Sequence, residues 1–401
     1  MFFGKKGVNR DAKTVLIAIP VLLIGGTEIQ TLSVAKALIS GGYRVIVCCY
    51  HEYDQTMVDQ FAATGAKINL LRMRRDDTFF GLLRLTLRLV SLFGSLKPDV
   101  IHVQYISPGL ISILSARLAM VPIVFATVHI AGSLVYGIKA KLMLRFAAKL
   151  CSAFICVSKG VEDFWFGSSA VFDANKHPKR RTHFTIYNAV DPASIAWEST
   201  KDVYNLRHAL ALQGRLVIGI VGRLAVQKGH TILLDALAEI KKKVSNVILI
   251  VIGDGPEREI LQRKAARLAL TDSILWLGAQ AQQDVFRYYQ VMNILVMPSL
   301  YEGFGLTAIE AMAFGLPVVG SNVAGLSEVI EHEKSGLLVR PGDADELKIA
   351  LLRLINDKEL IPKFGAYGKL RVDAYFSLQA FEQSMHAMYR CYVGGVCDPC
   401  Q

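Results

Sequence analysis

The sequence has few cysteines, no long uninterrupted hydrophobic run and no dinucleotide-binding glycine pattern. Seven cysteines spread over 401 residues exclude a disulfide-stapled secreted scaffold. No stretch reaches the about 20 uninterrupted apolar residues of a membrane-spanning helix, so none is expected. The first predicted strand is not followed by Gly-x-Gly-x-x-Gly, and no acidic residue ends the second, which argues against a dinucleotide-dependent dehydrogenase.

The cysteines and the N-terminus point to a reduced, cytosolic chain. Cys48, Cys49, Cys151 and Cys156 lie in apolar segments, typical of small core residues. The tail Cys391–Cys397–Cys400 lacks a clear fourth ligand, which argues against a zinc site. Cations before an apolar run imitate a signal peptide, but Pro20 interrupts that run and no cleavage site follows.

Acidic residues are scarce in the first half of the chain. Residues 1–200 hold 23 Lys and Arg against 13 Asp and Glu, whereas residues 201–401 hold 22 against 21. The asymmetry predicts that the first half meets an anionic partner.

Apolar runs alternate with helical patterns, and the alternation restarts at Leu216. Alternating strands and helices predict parallel sheets covered by helices. We therefore expect an α/β protein with two doubly wound, Rossmann-like domains facing across a cleft. Their expected bounds are 1–195 and 196–376, with a helix and tail over 377–401 that crosses back to the first domain. The predicted strands of the two domains are Thr14–Pro20, Arg44–Tyr50, Lys67–Leu71, Val100–Gln104, Ile123–Val128, Ala153–Val157 and Phe184–Tyr187, then Leu216–Val221, Val247–Ile252, Ile274–Trp276, Ile294–Met297 and Pro317–Val319.

Gly25-Gly26-Thr27-Glu28 follows the first predicted strand and opens a helix. Glycines there let a ligand approach the backbone, and a helix N-terminus favours anions. A tight strand-to-helix turn explains the same residues equally well.

Two similar turns occur in the second half. Gly222-Arg223 and Lys228-Gly229 follow the strand that begins it, so two cations five residues apart can converge on one anion at the ligand edge of the sheet. The alternative is a solvated loop. Gly253-Asp254-Gly255 follows the next strand, and helix capping explains most of it.

The most informative segment runs from Met297 to Ala313. A buried strand ends, the loop Glu302-Gly303-Phe304-Gly305 follows, and a helix starts near Leu306. Amides at that helix start can hold a diphosphate. Glu310, about one turn into the helix, can accept bonds from both ribose hydroxyls, and Glu302 can hold sugar hydroxyls. A carboxylate pair also fits a glycosidase, but the adjacent basic pair fits a phosphate better than a neutral glycan.

In this order, these motifs resemble the retaining glycosyltransferases of family 4, which have the GT-B fold. The resemblance spans nearly the whole chain and extends to Tyr187-Asn188-Ala189-Val190-Asp191 and to Ser335-Gly336-Leu337-Leu338-Val339. Glu302-x7-Glu310 with its basic pair is the specific part. Ala189 departs from the family, which usually has glycine there. The basic stretch Lys176–Arg181 lies in a connection longer than is typical of the family.

The resemblance implies a role for each matching residue. Arg223 and Lys228 would bind the donor diphosphate, Glu310 the ribose and Glu302 the transferred sugar. His129 matches the histidine beside the donor sugar. The remaining donor-binding expectations are the loop glycines and helix-start residues, Gly25, Gly26, Gly222, Gly253, Gly303, Phe304, Gly305 and Leu306.

The expected activity is transfer of a hexosyl or N-acetylhexosaminyl unit, with retention, from a nucleotide sugar to a glycan or lipid-linked acceptor in envelope polysaccharide synthesis. UDP is favoured over GDP on family frequency. No cofactor and no nucleic-acid partner are expected. No metal is expected either, because Asp343 with Glu346 is typical of a helix cap rather than a metal motif. The alternatives are a nucleotide-sugar epimerase of the same fold and a non-catalytic nucleotide-sugar-binding protein.

The segment Phe79–Phe93 predicts peripheral attachment to an anionic surface on the inner face of the cytoplasmic membrane. Its polar positions Arg84, Arg88, Ser91 and Ser95 form one stripe, and the rest is more apolar than one packing face requires. Lys139–Lys149 is a second basic helical segment. Each basic group near such a surface contributes ~1 kcal/mol. The alternative is a helix buried between the sheet and a neighbouring helix.

Overall fold

The computed structural model describes residues 12–104, 109–130, 137–175, 182–191 and 200–394. The N-terminal cations Lys5, Lys6 and Arg10, the run Lys176–Arg181 and the cysteines Cys397 and Cys400 lie outside these ranges. The described chain forms two parallel sheets, each covered by helices on both faces, so the expected fold is confirmed.

The first sheet has seven parallel strands in the order β3-β2-β1-β4-β5-β6-β7. Its strands are apolar runs buried on both faces, as parallel strands between helical layers must be. They span β1 Thr14–Ile19, β2 Arg44–Cys49, β3 Lys67–Leu70, β4 Val100–Gln104, β5 Ile123–Val128, β6 Ala153–Cys156 and β7 His183–Thr185.

Six helices connect these strands and divide between the two faces of the sheet. They span α1 Gly26–Ser40, α2 Gln55–Ala63, α3 Phe79–Leu96, α4 Gly109–Leu118, α5 Ile138–Lys149 and α6 Lys159–Phe166. Core residues of α1 and α2 pack with one set of strand side chains. Those of α3, α4, α5 and α6 pack with the other set.

The second sheet has six parallel strands in the order β10-β9-β8-β11-β12-β13. The strands span β8 Leu216–Val221, β9 Val247–Ile252, β10 Ile274–Gly278, β11 Ile294–Met297, β12 Val318–Ser321 and β13 Gly336–Val339. The helices are α7 Thr200–Ala209, α8 His230–Lys241, α9 Arg258–Arg267, α10 Gln282–Tyr289, α11 Leu306–Ala313, α12 Leu326–Val329, α13 Ala344–Asn356, α14 Leu360–Arg371 and α15 Leu378–Val393.

The strand order reverses between β1 and β4 in the first sheet and between β8 and β11 in the second. Ligands of doubly wound sheets bind where the order reverses, outside the carboxyl ends of the strands. The loops after β1, β8 and β11, which flank the reversals, carry Gly25-Gly26, Arg223 with Lys228, and Glu302. The other candidates, His129 and Gly253, follow β5 and β9.

The final helix α15 packs against α1 of the first domain. His386 Nε2 lies within hydrogen-bond distance of the Ala37 carbonyl, at 2.5 Å, and Ser40 donates to Glu382. The buried ring of Tyr389 contacts Phe125 of β5. The end of the chain thus completes one helical layer of the first domain.

Helix α3 is the one helix in the described residues that is long and apolar enough, by length and composition, to cross a membrane. In the fold it connects β3 to β4, and Leu85, Leu89 and Phe93 are buried against the sheet. It therefore belongs to the helical layer. The alternative of a helix buried between the sheet and a neighbouring helix holds in part. Helix α3 packs on the sheet and against α4, but Phe79, Phe80, Leu83 and Leu87 are exposed.

Asp343 is the N-cap of α13 and accepts from the Glu346 amide at 2.8 Å. The Glu346 carboxylate does not return to Asp343 as in a full capping box. It accepts instead from the Arg340 amide at 2.7 Å. Asp345 pairs with Lys348 at 2.5 Å. Within the described ranges there is no group of three or more His, Cys, Asp or Glu that could hold a metal.

Candidate active site

The loop after β8 carries Arg223, which is exposed, and ends in a single helical turn over Val226–Lys228. This turn is attached to the end of β11, since the Leu300 amide donates to the Gln227 carbonyl at 2.8 Å. The two loops that flank the strand-order reversal therefore meet, and both predicted cations lie beside the segment that carries Glu302.

Glu302 accepts two hydrogen bonds through the same oxygen. Lys228 Nζ lies 2.6 Å from Oε2, and the Ser299 hydroxyl lies 3.3 Å from it. Both Lys228 and Glu302 are largely buried. A partly desolvated, charge-assisted bond holds each side chain in one position, so an ammonium and a carboxylate are presented together at the cleft.

Helix α11 begins at Leu306, directly after this loop. Its N-cap Gly305 has φ +103°, and a Cβ there would lie 2.6 Å from Leu326 Cδ2, so the turn requires glycine. By helix geometry the first amides of α11 have no acceptor within the helix, and the helix dipole adds partial positive charge. This end can bind an anion.

Glu310 lies in the second turn of α11 and is buried. Tyr289 at the end of α10 donates to Oε2 at 3.0 Å, and Gln282 donates to Oε1 at 3.3 Å. Burial raises the pKa of Glu310 to about 7, and the two hydrogen bonds oppose that rise. Each oxygen keeps acceptor capacity for a further donor.

Gly222 and Gly253 bring the ends of β8 and β9 together. Gly253 has φ +133°, and a Cβ there would lie 2.0 Å from the Gly222 carbonyl oxygen. Only glycine allows this approach. The close approach of the two glycines thus fixes where the Arg223 loop begins, next to the end of β9.

The first domain contributes the loop after β1. A Cβ at Gly26 would lie 3.0 Å from Leu306 Cδ1, so the Gly25-Gly26 turn is close to the start of α11 in the other domain. Two helix starts therefore face each other across the cleft. Behind the turn, the Glu28 carboxyl is buried, which raises its pKa.

His129 follows β5, and its Nε2 lies 2.9 Å from Gln104 Oε1 at the end of β4. Loss of solvation lowers the pKa of His129 to about 3. The imidazole is neutral near pH 7, so its single N–H, on Nε2, is donated to Gln104 Oε1 and Nδ1 is left as an acceptor. Gln104 therefore orients the ring at the carboxyl edge of the first sheet.

Contacts between the domains hold the Gly303–Gly305 loop. The Ser158 hydroxyl, at the start of α6, donates to the Gly303 carbonyl at 2.7 Å. The Phe304 side chain is buried, with its ring centroid 6.0 Å from that of Tyr187. Phe304, named above as donor-binding, thus offers its backbone rather than its ring to the cleft.

Glu328 of α12 forms a second contact between the domains. Its carboxylate accepts from the Lys159 and Gly160 amides, at 2.9 and 2.7 Å. The start of α6 is therefore capped by a side chain of the other domain.

These contacts link two pairs of predicted residues, Lys228 with Glu302 and Gly26 with Leu306. Sequence reasoning missed Tyr289, Gln282, Gln104 and Glu328. Each acts on a partner more than 20 residues away, and no local pattern marked them. The nearest signal was the polar residue that ends β4. Ser158 belongs to the pair Val157-Ser158, which also matches the family, but no role was predicted for it.

Two family models match the chain, one for each domain. The model described as Glycosyltransferase Family 4 matches residues 24–167, and Glycosyl transferases group 1 matches residues 205–371. Together they cover most of the chain and contain every residue of the site described above.

Named relatives agree. The capsular polysaccharide biosynthesis glycosyltransferase CapM of Staphylococcus aureus is 28% identical over 329 residues, 81% of this chain and 85% of CapM. The D-inositol 3-phosphate glycosyltransferase of Corynebacterium jeikeium is 35% identical over 180 residues, 43% of each chain. The chain thus spans most of the first relative and less than half of the second.

Solved structures support the architecture. Anabaena Alr3699/HepE in complex with UDP and glucose superposes with a TM-score of 0.80 at 21% identity, covering 94% of this chain and 100% of that one. WaaG, a glycosyltransferase involved in lipopolysaccharide biosynthesis, gives 0.72 at 14% identity, covering 95% and 100%. At these identities the likeness concerns the fold.

Proposed function

Because the chain belongs to glycosyltransferase family 4, with its GT-B fold, we propose that this enzyme transfers a hexosyl or N-acetylhexosaminyl unit from a nucleotide-diphosphate sugar with retention. The observation that carries the proposal is the convergence of Lys228, Glu302 and the start of α11 at the reversal of the second sheet, facing Gly26. Cations, helix amides and a sugar-facing carboxylate suit a diphosphate sugar.

In the proposed reaction the bond between the anomeric carbon and the diphosphate oxygen breaks first, and its electron pair leaves with the diphosphate. Arg223, Lys228 and the first amides of α11 stabilise that growing charge. Preorganised donors of this kind contribute about 3–4 kcal/mol each. The acceptor hydroxyl then attacks from the face of departure and passes its proton to the leaving phosphate.

Glu310 holds the ribose through the oxygens that Tyr289 and Gln282 orient. Glu302 holds hydroxyls of the sugar that moves, and neutral His129, whose single N–H is donated to Gln104, accepts from a hydroxyl of the same sugar. No proton transfer is assigned to His129, since its lowered pKa keeps it neutral. The reaction is proposed to need no metal, because diphosphate charge is met by side chains and amides.

UDP is the proposed nucleotide, in keeping with the UDP bound in the Anabaena structure. The proposed acceptor is a glycan or lipid-linked glycan of envelope polysaccharide synthesis, as the name of the S. aureus relative suggests. The enzyme would then work in the cytoplasm at the inner face of the membrane, with its first domain toward the lipid.

The test is incubation of the full chain with a panel of UDP- and GDP-sugars, with and without membrane extract, and measurement of nucleotide release. We expect release from one donor, increased by extract, and an α-linked product from an α-linked donor. Conversion of the donor to its epimer without an acceptor would identify an epimerase. Binding without turnover under either condition would identify a non-catalytic protein.

A further inference from the structure

The two helical layers of the first sheet differ in what they expose. No large apolar side chain of α1, α2 or α15 is exposed, and all residues of these helices are among those described. Three of the four helices in the other layer, α3, α4 and α5, are different. They expose ten such side chains: Phe79, Phe80, Leu83, Leu87, Leu114, Leu118, Ile138, Leu142, Met143 and Phe146. The fourth, α6, exposes none and carries Glu162 and Asp163.

The two layers also differ in charge. Helices α3, α4 and α5 contain seven Lys and Arg and no Asp or Glu, whereas α1, α2 and α15 contain two basic and three acidic residues. From residue 78 to residue 161 the chain has a single acidic residue, Asp99. It accepts from the Thr14 amide at the edge of the sheet.

Three of the seven cations contact other parts of the domain. Arg117 donates to the carbonyls of Leu150 and Val121, and Arg145 donates to the Trp165 carbonyl. Lys141 lies over the ring of Phe164. Arg145 is exposed as well, and so are four further cations of these helices, Arg84, Arg88, Lys139 and Lys149. On α3 they alternate with Leu83 and Leu87, so cations and apolar groups share one surface.

The basic–apolar face is the exposed surface of α3, α4 and α5, which lie side by side with α4 in the middle. We infer that the basic–apolar face binds the surface of an anionic phospholipid membrane, with its cations on the headgroups and the apolar side chains of α3 at the acyl boundary. Such a mixture of cations and apolar groups is the composition that lipid interfaces bind.

A second copy of the chain fits this face poorly. In a symmetric dimer the same patch meets itself, so cations would oppose cations with no carboxylate between them. The inference rests on the proposed function in one respect, that a lipid-linked acceptor would reach the same domain. The binding itself does not require turnover.

The test is flotation of the full chain with vesicles of phosphatidylcholine alone or mixed with phosphatidylglycerol, at low and high salt. We expect flotation only with the anionic vesicles, and loss of it as salt rises. Protein that stays at the bottom with anionic vesicles at low salt would overturn the inference. So would equal flotation on neutral vesicles.

Two variants separate the parts of the face. R84E/R88E should reduce the vesicle-bound fraction at least about tenfold, and the matched control R263E/R267E, on exposed positions of α9, should not. Phe80→Ser with Leu87→Ser, at 73% and 62% exposed, should also reduce binding. Its control is Ile349→Ser with Leu370→Ser, at 62% and 68%.

Equal losses in the controls would contradict the assignment to this face. A concentration-dependent dimer that the Phe80 and Leu87 changes dissociate, without vesicle binding, would assign the face to a second copy. Nucleotide release from the donor with a water-soluble acceptor is measured in parallel. Release without flotation defeats this inference alone, and flotation without release defeats the proposed function alone.

Discussion

The two domains have one architecture, yet they handle charge in opposite ways. In the second domain many cations pair with a carboxylate, as in Arg258 with Asp254 at 2.7 Å and Lys264 with Asp235 at 2.6 Å. In the first domain basic residues outnumber acidic ones, and three neighbouring helices carry no acid at all. The second domain therefore balances much of its positive charge with nearby carboxylates, whereas the first domain carries unbalanced positive charge over the surface of three helices.

Arg223 is exposed at the end of β8, and within the described part of the chain it has no ion pair, a state that it shares with Arg263 of the same domain. Lys228 pairs with Glu302. Arg223 and Lys228 lie in one loop at the reversal of the second sheet, and removing either one tests whether this loop binds the diphosphate.

Arg223→Ala and Lys228→Ala should each lower turnover at least about a hundredfold, because each removes a charge-assisted contact that strengthens as the bond breaks. Steady-state kinetics on folded protein, checked by circular dichroism, measure this. The matched control is Arg263→Ala, an exposed cation of the same domain. Turnover near wild type in either site variant would place the donor elsewhere.

The two glutamates should separate binding from turnover. Glu302→Ala should mainly lower kcat, by about tenfold or more, because it holds the sugar that moves. Glu310→Ala should mainly weaken nucleotide binding, since ribose contacts exist before and after reaction. Calorimetry with free nucleotide and steady-state rates measure the two effects. Unchanged nucleotide affinity in the Glu310 variant would contradict its role.

The sequence predicted most of the fold because buried parallel strands are continuous apolar runs. The bounds of Val100–Gln104, Ile123–Val128 and Val247–Ile252 are confirmed, and the predicted helical segment Phe79–Phe93 lies within α3. The short helices Gln55–Ala63 and Gly109–Leu118 were not predicted. The first begins at an Asp54 cap within polar sequence, and the second lies in an apolar stretch without a clear period.

The candidate site was predictable where chemistry follows a strand directly, as at Lys228 and Glu302. The contacts that hold the site in place were not predictable. Tyr289 contacts Glu310, Ser158 contacts Gly303 and Glu328 contacts the start of α6, and each contact exists only in the folded chain. The sequence also suggested a polar stripe on α3. The exposed face in fact mixes Leu83 and Leu87 with the arginines, since one narrow row of side chains, at Gly81, Leu85, Leu89 and Phe93, is buried.

Nucleotide affinity should fall as the pH drops through about 7, because burial raises the pKa of Glu310 to about 7 and a protonated carboxyl accepts fewer bonds. Its ordinary value is 4.5. Without nucleotide the folded state therefore binds this proton more tightly, and this group's contribution to the free energy of unfolding falls as pH rises from 4.5 to about 7.

Calorimetry of nucleotide binding between about pH 6 and pH 8 checks this. Glu310→Gln should give a flat profile. Tyr289→Phe removes a bond that favours the charged form, so its midpoint should lie higher than that of the wild type. A wild-type affinity that is constant over this range would exclude titration of Glu310 in binding.

Loss of the Glu328 contact should have a smaller effect, because it acts on the docking of the domains. Glu328→Ala leaves the Lys159 and Gly160 amides without that carboxylate, so we expect a few-fold lower turnover and a larger radius of gyration in X-ray scattering. Glu333→Ala, whose carboxylate pairs with Arg353 in the same domain, is the control. An unchanged radius with unchanged turnover would remove Glu328 from interdomain docking.

A chelator should have the least effect. Asp343 caps α13 and Asp345 pairs with Lys348, so neither is assigned to a metal. We expect nucleotide release in EDTA to match that in buffer. Loss of release in EDTA with recovery in manganese would show that a metal shares the diphosphate with the two cations.

The most direct test of the account is hydrogen exchange of the full chain with and without UDP and, separately, GDP. The central claim places the diphosphate at the start of α11 and beside the Arg223–Lys228 loop. We predict that at least one nucleotide slows exchange at residues 303–309 and 222–229, and leaves residues 79–96 unchanged. Protection confined to the first domain, with none at residues 303–309, would contradict the claim.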